Sequence, residues 1–439
     1  MDNFLFSILW LLTFVVVAWK IYVGLRKPKM MLEWPFLASL MWLYFYVYMA
    51  RDTSTFSSDV VRPRAFILGQ LMALVSILAI FIGWRFGSPK TTTGSAPYMR
   101  IRNRLMMWSV GMILIVIGIA GGFLTHRARM EGILFDYEGT SAYIYLSYYL
   151  GYPGMAICLW IASTWPKKTR LLIWFFLLSA TLAFAYPHLA YLRRGPIFPI
   201  VLLFLIVPTM ARRKSPNPIV YLFGLISVAV VMLVFIQLRS TIYNQGTWNE
   251  AFTGLNIRNA VTDRNKKIYD NEFVNHCHII EALDANGKYQ YGTGHLSLFF
   301  HWIPRTWWPG KPQLGAGYYS HEELHRDVNL SSGYGTLAGG AAAGGVADGF
   351  IQYGFLSPVF WFLIALGLSK LYWGGVREGK IVWLHAYFGC ICASHWLVSQ
   401  GFAASFVPAL VFVTVPTGIF LFLGRLYRPR RRGLVLRTP

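Results

Sequence analysis

Stretches of roughly 20 apolar residues, the length a helix needs to cross hydrocarbon, recur along this whole chain. In lipid no water is present to satisfy backbone N–H and C=O groups, so segments of this kind fold as helices or not at all. Apolar windows fall at 3–25, 31–50, 65–84, 105–124, 141–163, 171–191, 197–210, 218–238, 350–373, 381–400 and 402–424. The seventh is short, and "YPHLAYLRRGPIFP" before it fits a tight hairpin or a partly re-entrant turn. The first window starts acidic and has no small-residue cleavage site behind it, so it reads as a retained span and not a removed signal peptide. The expected fold is an all-α integral membrane protein with about 11 transmembrane helices.

Charge placement supplies an orientation. Only 13% of the 439 residues are charged, about half the share of a soluble domain. With the N-terminus outside and loops alternating between faces, the inner loops hold 23 basic residues and the outer loops 16. Of the 18 acids, 16 fall outside, leaving only Glu33 and Glu378 inside. Lys20, within the first span, completes the 40 bases. The outer face is then neutral, and the net +22 sits on the inner side, as Lys/Arg bias requires of an N-outside, C-inside chain. Positive charge spread over short loops facing anionic lipid leaves no single face for nucleic acid, which excludes that partner. "RLYRPRRRG" near the C-terminus reads as a stop-transfer anchor. Cys158, Cys390 and Cys392 lie in expected spans and Cys277 stands alone outside, so no disulfide framework follows.

The chain divides into spans over 1–238, one large external loop over 239–349, and spans plus a basic tail over 350–439. A loop that long is usually functional. The spans carry almost no ionisable groups, while the residues able to do chemistry gather at the outer boundary. That distribution points to a reaction at the membrane surface and away from passage through it.

Arg193 and Arg194, in "YLRRGPIFP", oppose the charge bias at the outer end of the sixth span. They either snorkel to the interface or form a guanidinium fork on a phosphate. In "HWIPRTWWPGKP" (301–312), Pro304, Pro309 and Pro312 stiffen a segment that carries Arg305, Lys311, Trp302, Trp307 and Trp308, with His301 opening it. The tryptophans fit an interfacial belt or a platform for sugar C–H faces. "HEELH" (His321, Glu322, His325) matches a zinc signature, but its flanks form no long apolar helix and no third ligand follows, so no metal is assigned. Glu322 and His325 remain groups able to touch substrate. In "NHCHIIE", His276 and His278 alternate with Cys277 and diverge around a helix, as ordinary polar-face residues do. "GYGTLAGGAAAGGVADGFIQYG" lacks the strand context of a nucleotide loop, so its Gly/Ala run reads as close helix packing or a re-entrant turn. Asp348, alone at the start of the ninth span, is either a helix N-terminal acid or the best-placed general base.

"YLRRGPIFP", then "NEFVNHCHIIEALDANGKYQYGTGHLSLFFHWIPRTWWPGKP", then "GVADGFIQYGFLSP" together resemble the oligosaccharide repeat-unit polymerases, the Wzy-type group that includes O-antigen and enterobacterial-common-antigen polymerases. The resemblance covers about residues 185–360 in motif and the whole chain in topology, and "F…IPR.WWPGKP" with the upstream "YGTG" is its strongest part. Asp348 stands where relatives often carry glutamate. The resemblance implies a GT-C-like, metal- and cofactor-independent transferase of the bacterial inner membrane, acting at its periplasmic side. There it would move a growing glycan from undecaprenyl pyrophosphate onto a new lipid-linked repeat unit, with a chain-length regulator as a candidate partner. Arg193, Arg194, Arg305 and Lys311 would then absorb the charge of the leaving pyrophosphate in place of a metal. Asp348, with Glu322 and His325 as substitutes, would take the acceptor proton on the opposite sugar face. The rival readings are an O-antigen ligase-type transferase, a lipid-linked glycan transporter, and a membrane zinc metalloprotease using His321, Glu322 and His325.

Overall fold

A computed structural model describes residues 2–53, 63–89, 104–130, 140–190, 197–224, 227, 234, 238, 272–287, 289–300, 303, 307–310 and 344–425. All regular structure among the described residues is helical. The helices are α1 (Asp2–Arg26), α2 (Trp34–Trp42), α3 (Met49–Thr53), α4 (Pro63–Gly87), α5 (Arg104–Met130), α6 (Thr140–Tyr149), α7 (Gly151–Thr164), α8 (Lys167–Ala190) and α9 (Ile197–Ala211), then α10 (Glu272–Asn286), α11 (Thr293–Ser297), α12 (Gly345–Tyr353), α13 (Ser357–Glu378), α14 (Ile381–Ser399) and α15 (Phe402–Arg425).

Among the described residues seven segments are long and apolar enough to cross a membrane: Phe4–Arg26, Pro63–Gly87, Arg104–Arg127, Lys167–Pro187, Gly345–Glu378, Ile381–Ser399 and Ser405–Phe422. The chain is a multi-pass helical membrane protein. Two of the other expected windows, 31–50 and 141–163, are interrupted. Over 31–50, α2 widens into π turns at Leu43–Tyr48 before continuing as α3. Over 141–163, α6 and α7 meet at Leu150. The window at 197–210 forms the 15-residue α9, and most of 218–238 lies outside the described residues. At the ninth window the apolar segment opens at Gly345, so the helical structure that holds Asp348 begins inside the expected loop.

Burial sorts the spans. Of the Ile381–Ser399 window 83% is enclosed, against 22% for both Lys167–Pro187 and Ser405–Phe422, so α14 is the central helix and α8 and α15 face outward. Small residues set the closest crossings, as they do where lipid supplies no hydrophobic drive between helices. A Cβ on Gly83 of α4 would meet the Phe362 carbonyl of α13 at 2.3 Å, and one on Gly154 of α7 the Gly111 carbonyl of α5 at 2.6 Å. Within the bundle Lys20 of α1 pairs with Glu33, just ahead of α2, at 3.6 Å. The lysine inside the first span and one of the two acids expected on the inner side are therefore partners, which is how an ionisable group in a span is normally accommodated.

One end of the bundle gathers the ends of α2, α4, α13, α14 and α15 under α10, α11 and α12. Arg64 of α4 pairs with Asp284 of α10 at 2.9 Å, and His276 of α10 reaches the Gly69 carbonyl of α4 at 3.3 Å. Tyr46, in the π turns, donates to the Val398 carbonyl of α14 and accepts the Val346 N–H of α12. The π widening thus sits where one phenol joins three helices, in keeping with the placement of such turns at special sites.

Candidate functional site

The stretch "GVADGFIQYGFLSP" folds as a short helix, a break and a long helix. Gly344 (φ +79) admits the turn into α12, Gly354 (φ +56) ends it, and Pro358 suits the first turn of α13. Residues 289–295 dock on α12, mostly at its C-terminal end. Gln290 N–H donates to the Ile351 carbonyl at 2.9 Å, Gly292 N–H to the Gln352 carbonyl at 3.0 Å, and Gly294 N–H to Gln352 Oε1 at 3.1 Å. Gln352 Nε2 in turn donates to Gln290 Oε1. Tyr289 stacks edge-on against Phe350 and covers Gly354. Partial burial, then Asp284 and Tyr291, push the Tyr289 phenol above its ordinary value.

This docking carries His295, in α11, to Asp348, 53 positions away in sequence. His295 Nε2 lies 3.1 Å from Asp348 Oδ2, and His295 Nδ1 lies 3.1 Å from the Tyr353 hydroxyl. The hydrogen-bond network assigns the tautomer: Nε2–H facing Asp348 Oδ2 leaves Nδ1 to face the Tyr353 O–H. Phe360 and Phe402 close around the imidazole, with ring centroids at 4.9 and 4.6 Å. Asp348 Oδ2 also accepts the backbone N–H of Phe402 at 2.7 Å, where α15 begins. Gly401 (φ +107) makes room for this contact: a Cβ there would meet Asp348 Cβ and Cγ at 2.8 Å, in a backbone conformation L side chains rarely adopt. His295 and Asp348 are buried, at 6% and 8% exposure, whereas Tyr353 is half-buried. The result is a proton-capable chain that begins at a buried carboxylate and ends at a part-exposed phenol.

Of the residues expected to bind substrate or carry catalysis, Asp348, Trp307 and Trp308 are described. Asp348 lies in the first turn of α12, as a helix N-terminal acid would, and contacts His295. Trp307 is exposed, and Trp308 packs edge-on against Phe300, ring centroids 6.3 Å apart. Arg193, Arg194, His301, Trp302, Arg305, Lys311, His321, Glu322 and His325 lie outside the described residues. Among the described residues no group of three or more His, Cys, Asp or Glu side chains is arranged to hold a metal ion.

His276 and Cys277 differ from the polar-face expectation. Both are fully buried, because α10 is sheltered by α4 on one side and by Tyr46 and the start of α12 on another. Burial pushes the His276 imidazole down to about 4, against a smaller opposing effect of the Gly69 carbonyl. Burial likewise pushes the Cys277 thiol well above its ordinary range.

His295 and Tyr353 are the site residues that sequence reasoning passed over. The available signal was position: His295 directly follows "YGTG", and Tyr353 ends "VADGFIQY". No protein-family model, curated protein or solved structure matches this chain.

Proposed function

We propose that this protein is a GT-C-like, metal-independent glycosyltransferase of the bacterial inner membrane that polymerises undecaprenyl-pyrophosphate-linked oligosaccharide repeat units at the periplasmic face. The observation that carries the reading is the contact between two segments that bear the family resemblance. "YGTGH" (291–295) and "GVADGFIQYG" (345–354) are well separated in sequence, yet Gly292, Gly294 and His295 all bond to residues of α12. Their meeting place is an end of the bundle, which suits a lipid-anchored substrate whose reacting sugar stands outside the hydrocarbon.

In this reading Arg193, Arg194, Arg305 and Lys311 bind the pyrophosphate and stabilise its charge as the anomeric bond breaks. Trp302, Trp307, Trp308, His301, Glu322 and His325 offer faces and hydrogen bonds to the sugars. The acceptor proton leaves toward the Asp348 cluster on the opposite side of the sugar, the geometry expected for inversion. The charge bias gives a periplasmic N-terminus and a cytoplasmic C-terminus.

The test is purified protein in bilayer discs supplied with synthetic lipid-linked repeat units. A ladder of products spaced by one repeat unit supports polymerisation. Transfer only to lipid A-core would indicate a ligase, movement of lipid-linked units without lengthening a transporter, and chelator-sensitive proteolysis a metalloprotease.

A further inference from the structure

We infer that the Tyr353 hydroxyl is the group that receives the proton of the acceptor sugar, with His295 as its relay and Asp348 as the anchor of that relay. The inference rests on the glycosyltransferase reading and assigns the base within it.

Asp348 is tied to its neighbours through one carboxylate oxygen. Its Oδ2 accepts both the Phe402 N–H and the His295 ring N–H, and Gly401 closes against its Cβ and Cγ. A proton on Oδ2 itself would displace two donors, the His295 N–H and the opening N–H of α15. His295 is also enclosed, by Phe360, Phe402 and Tyr353. The chain of hydrogen bonds ends at the oxygen of Tyr353, a half-buried residue, which stands over the "YGTG" turn, 3.5 Å from where a Gly292 Cβ would lie. Gly292 (φ +82) carries no side chain, and the phenol keeps the space above it.

The step balances. The acceptor oxygen bonds to the anomeric carbon as the bond from that carbon to the pyrophosphate oxygen breaks, and undecaprenyl pyrophosphate leaves with the electron pair. The acceptor proton passes to the Tyr353 oxygen, while the Tyr353 proton passes to His295 Nδ1. The imidazolium formed is held by the Asp348 carboxylate through Nε2–H. A phenol alone is a weak base at neutral pH; a hydrogen-bonded imidazole with a carboxylate behind it lets the phenol accept one proton as it gives up another. Asp348 and His295 are thus positioning and relay groups, and Tyr353 is the catalytic residue.

The experiment is steady-state polymerisation of synthetic lipid-linked repeat units by the full-length protein in bilayer discs. It compares wild type, Tyr353→Phe, and protein with 3-fluorotyrosine installed at 353. Tyr353→Phe keeps the ring and its packing on His295 and Phe360, and equal thermal midpoints establish that the fold is kept. The expected result is a loss of about 100-fold or more in kcat with KM changed less than about threefold, and retained turnover with fluorotyrosine. Should Tyr353→Phe retain kcat within about threefold while the wild type forms a ladder, the relay is overturned and the polymerase reading stands. Should Tyr353→Phe lower the midpoint, the pH profile of kcat for the fluorotyrosine protein decides: a profile displaced from wild type supports the assignment, and one superimposable on wild type overturns it. A wild type that makes no ladder overturns both.

Discussion

Asp348, in the first turn of α12, accepts the opening backbone N–H of α15 at Phe402 over 2.7 Å. One carboxylate thereby caps a helix other than its own and holds His295 as well. Asp348→Ala removes the acceptor of a buried donor at His295 and a part-buried one at Phe402, and should cost about 3 kcal/mol of stability. Asp348→Asn keeps an acceptor oxygen and should cost less while still weakening the hold on His295. Chemical denaturation of the two variants in matched detergent, with hydrogen exchange at Phe402, checks the order. Equal stability of wild type and Asp348→Ala would remove the capping role.

Lys20 and Glu33 form an ion pair at 3.6 Å with both side chains largely enclosed. Breaking such a pair from one side strands a charge in apolar surroundings, whereas replacing both partners removes the desolvation cost along with the attraction. Lys20→Met or Glu33→Leu alone should destabilise by about 3–5 kcal/mol, and the double variant should recover most of the loss. A double-mutant cycle on thermal or denaturant stability measures the coupling. Additive single effects would show that the pair is incidental to stability.

His276 makes the docking of α10 pH-sensitive. Its imidazole is held near 4, below the ordinary 6.5, so the undocked segment takes up a proton first as the pH falls. Stability is complete above about pH 6.5 and is lost progressively on going down to about pH 4, by about 3 kcal/mol in total. Hydrogen-exchange protection of the α10 amides should fall across that window and not above it. His276→Phe, which removes the titrating group but keeps a ring beside Tyr46 and Phe273, should flatten the dependence.

Arg305→Lys preserves charge but removes the planar fork that binds two phosphate oxygens together. If Arg305 grips the pyrophosphate, turnover should fall by about tenfold or more at normal protein level, and polymer in cells should shorten. Polymer of unchanged length at equal expression would take Arg305 out of the site.

The length and apolarity of the spans were legible in sequence because they are properties of single helices. Interruptions were harder to see. The π turns at Leu43–Tyr48 lie within an unbroken apolar run, and their effect appears only when Tyr46 bonds to Val346 and Val398 from distant helices. His276 read as a polar-face residue because a lone sequence shows the polar side chain and not the helices that cover it. Asp348 was visible as a lone carboxylate, but its partners His295 and Phe402 lie 53 and 54 positions away, beyond any local pattern. The pairing of Lys20 with Glu33 was hidden differently: the two were counted separately, one inside a span and one on the inner face, and only the return of the chain after α1 brings them together.

The most direct measurement is the stoichiometry of the reaction itself. Purified protein receives lipid-linked repeat units, and released undecaprenyl pyrophosphate is counted against glycosidic bonds formed. One carrier released per new bond, with products rising by single repeat units, is the predicted result. Carrier release without chain growth, or no release at all from intact and folded protein, would contradict the account.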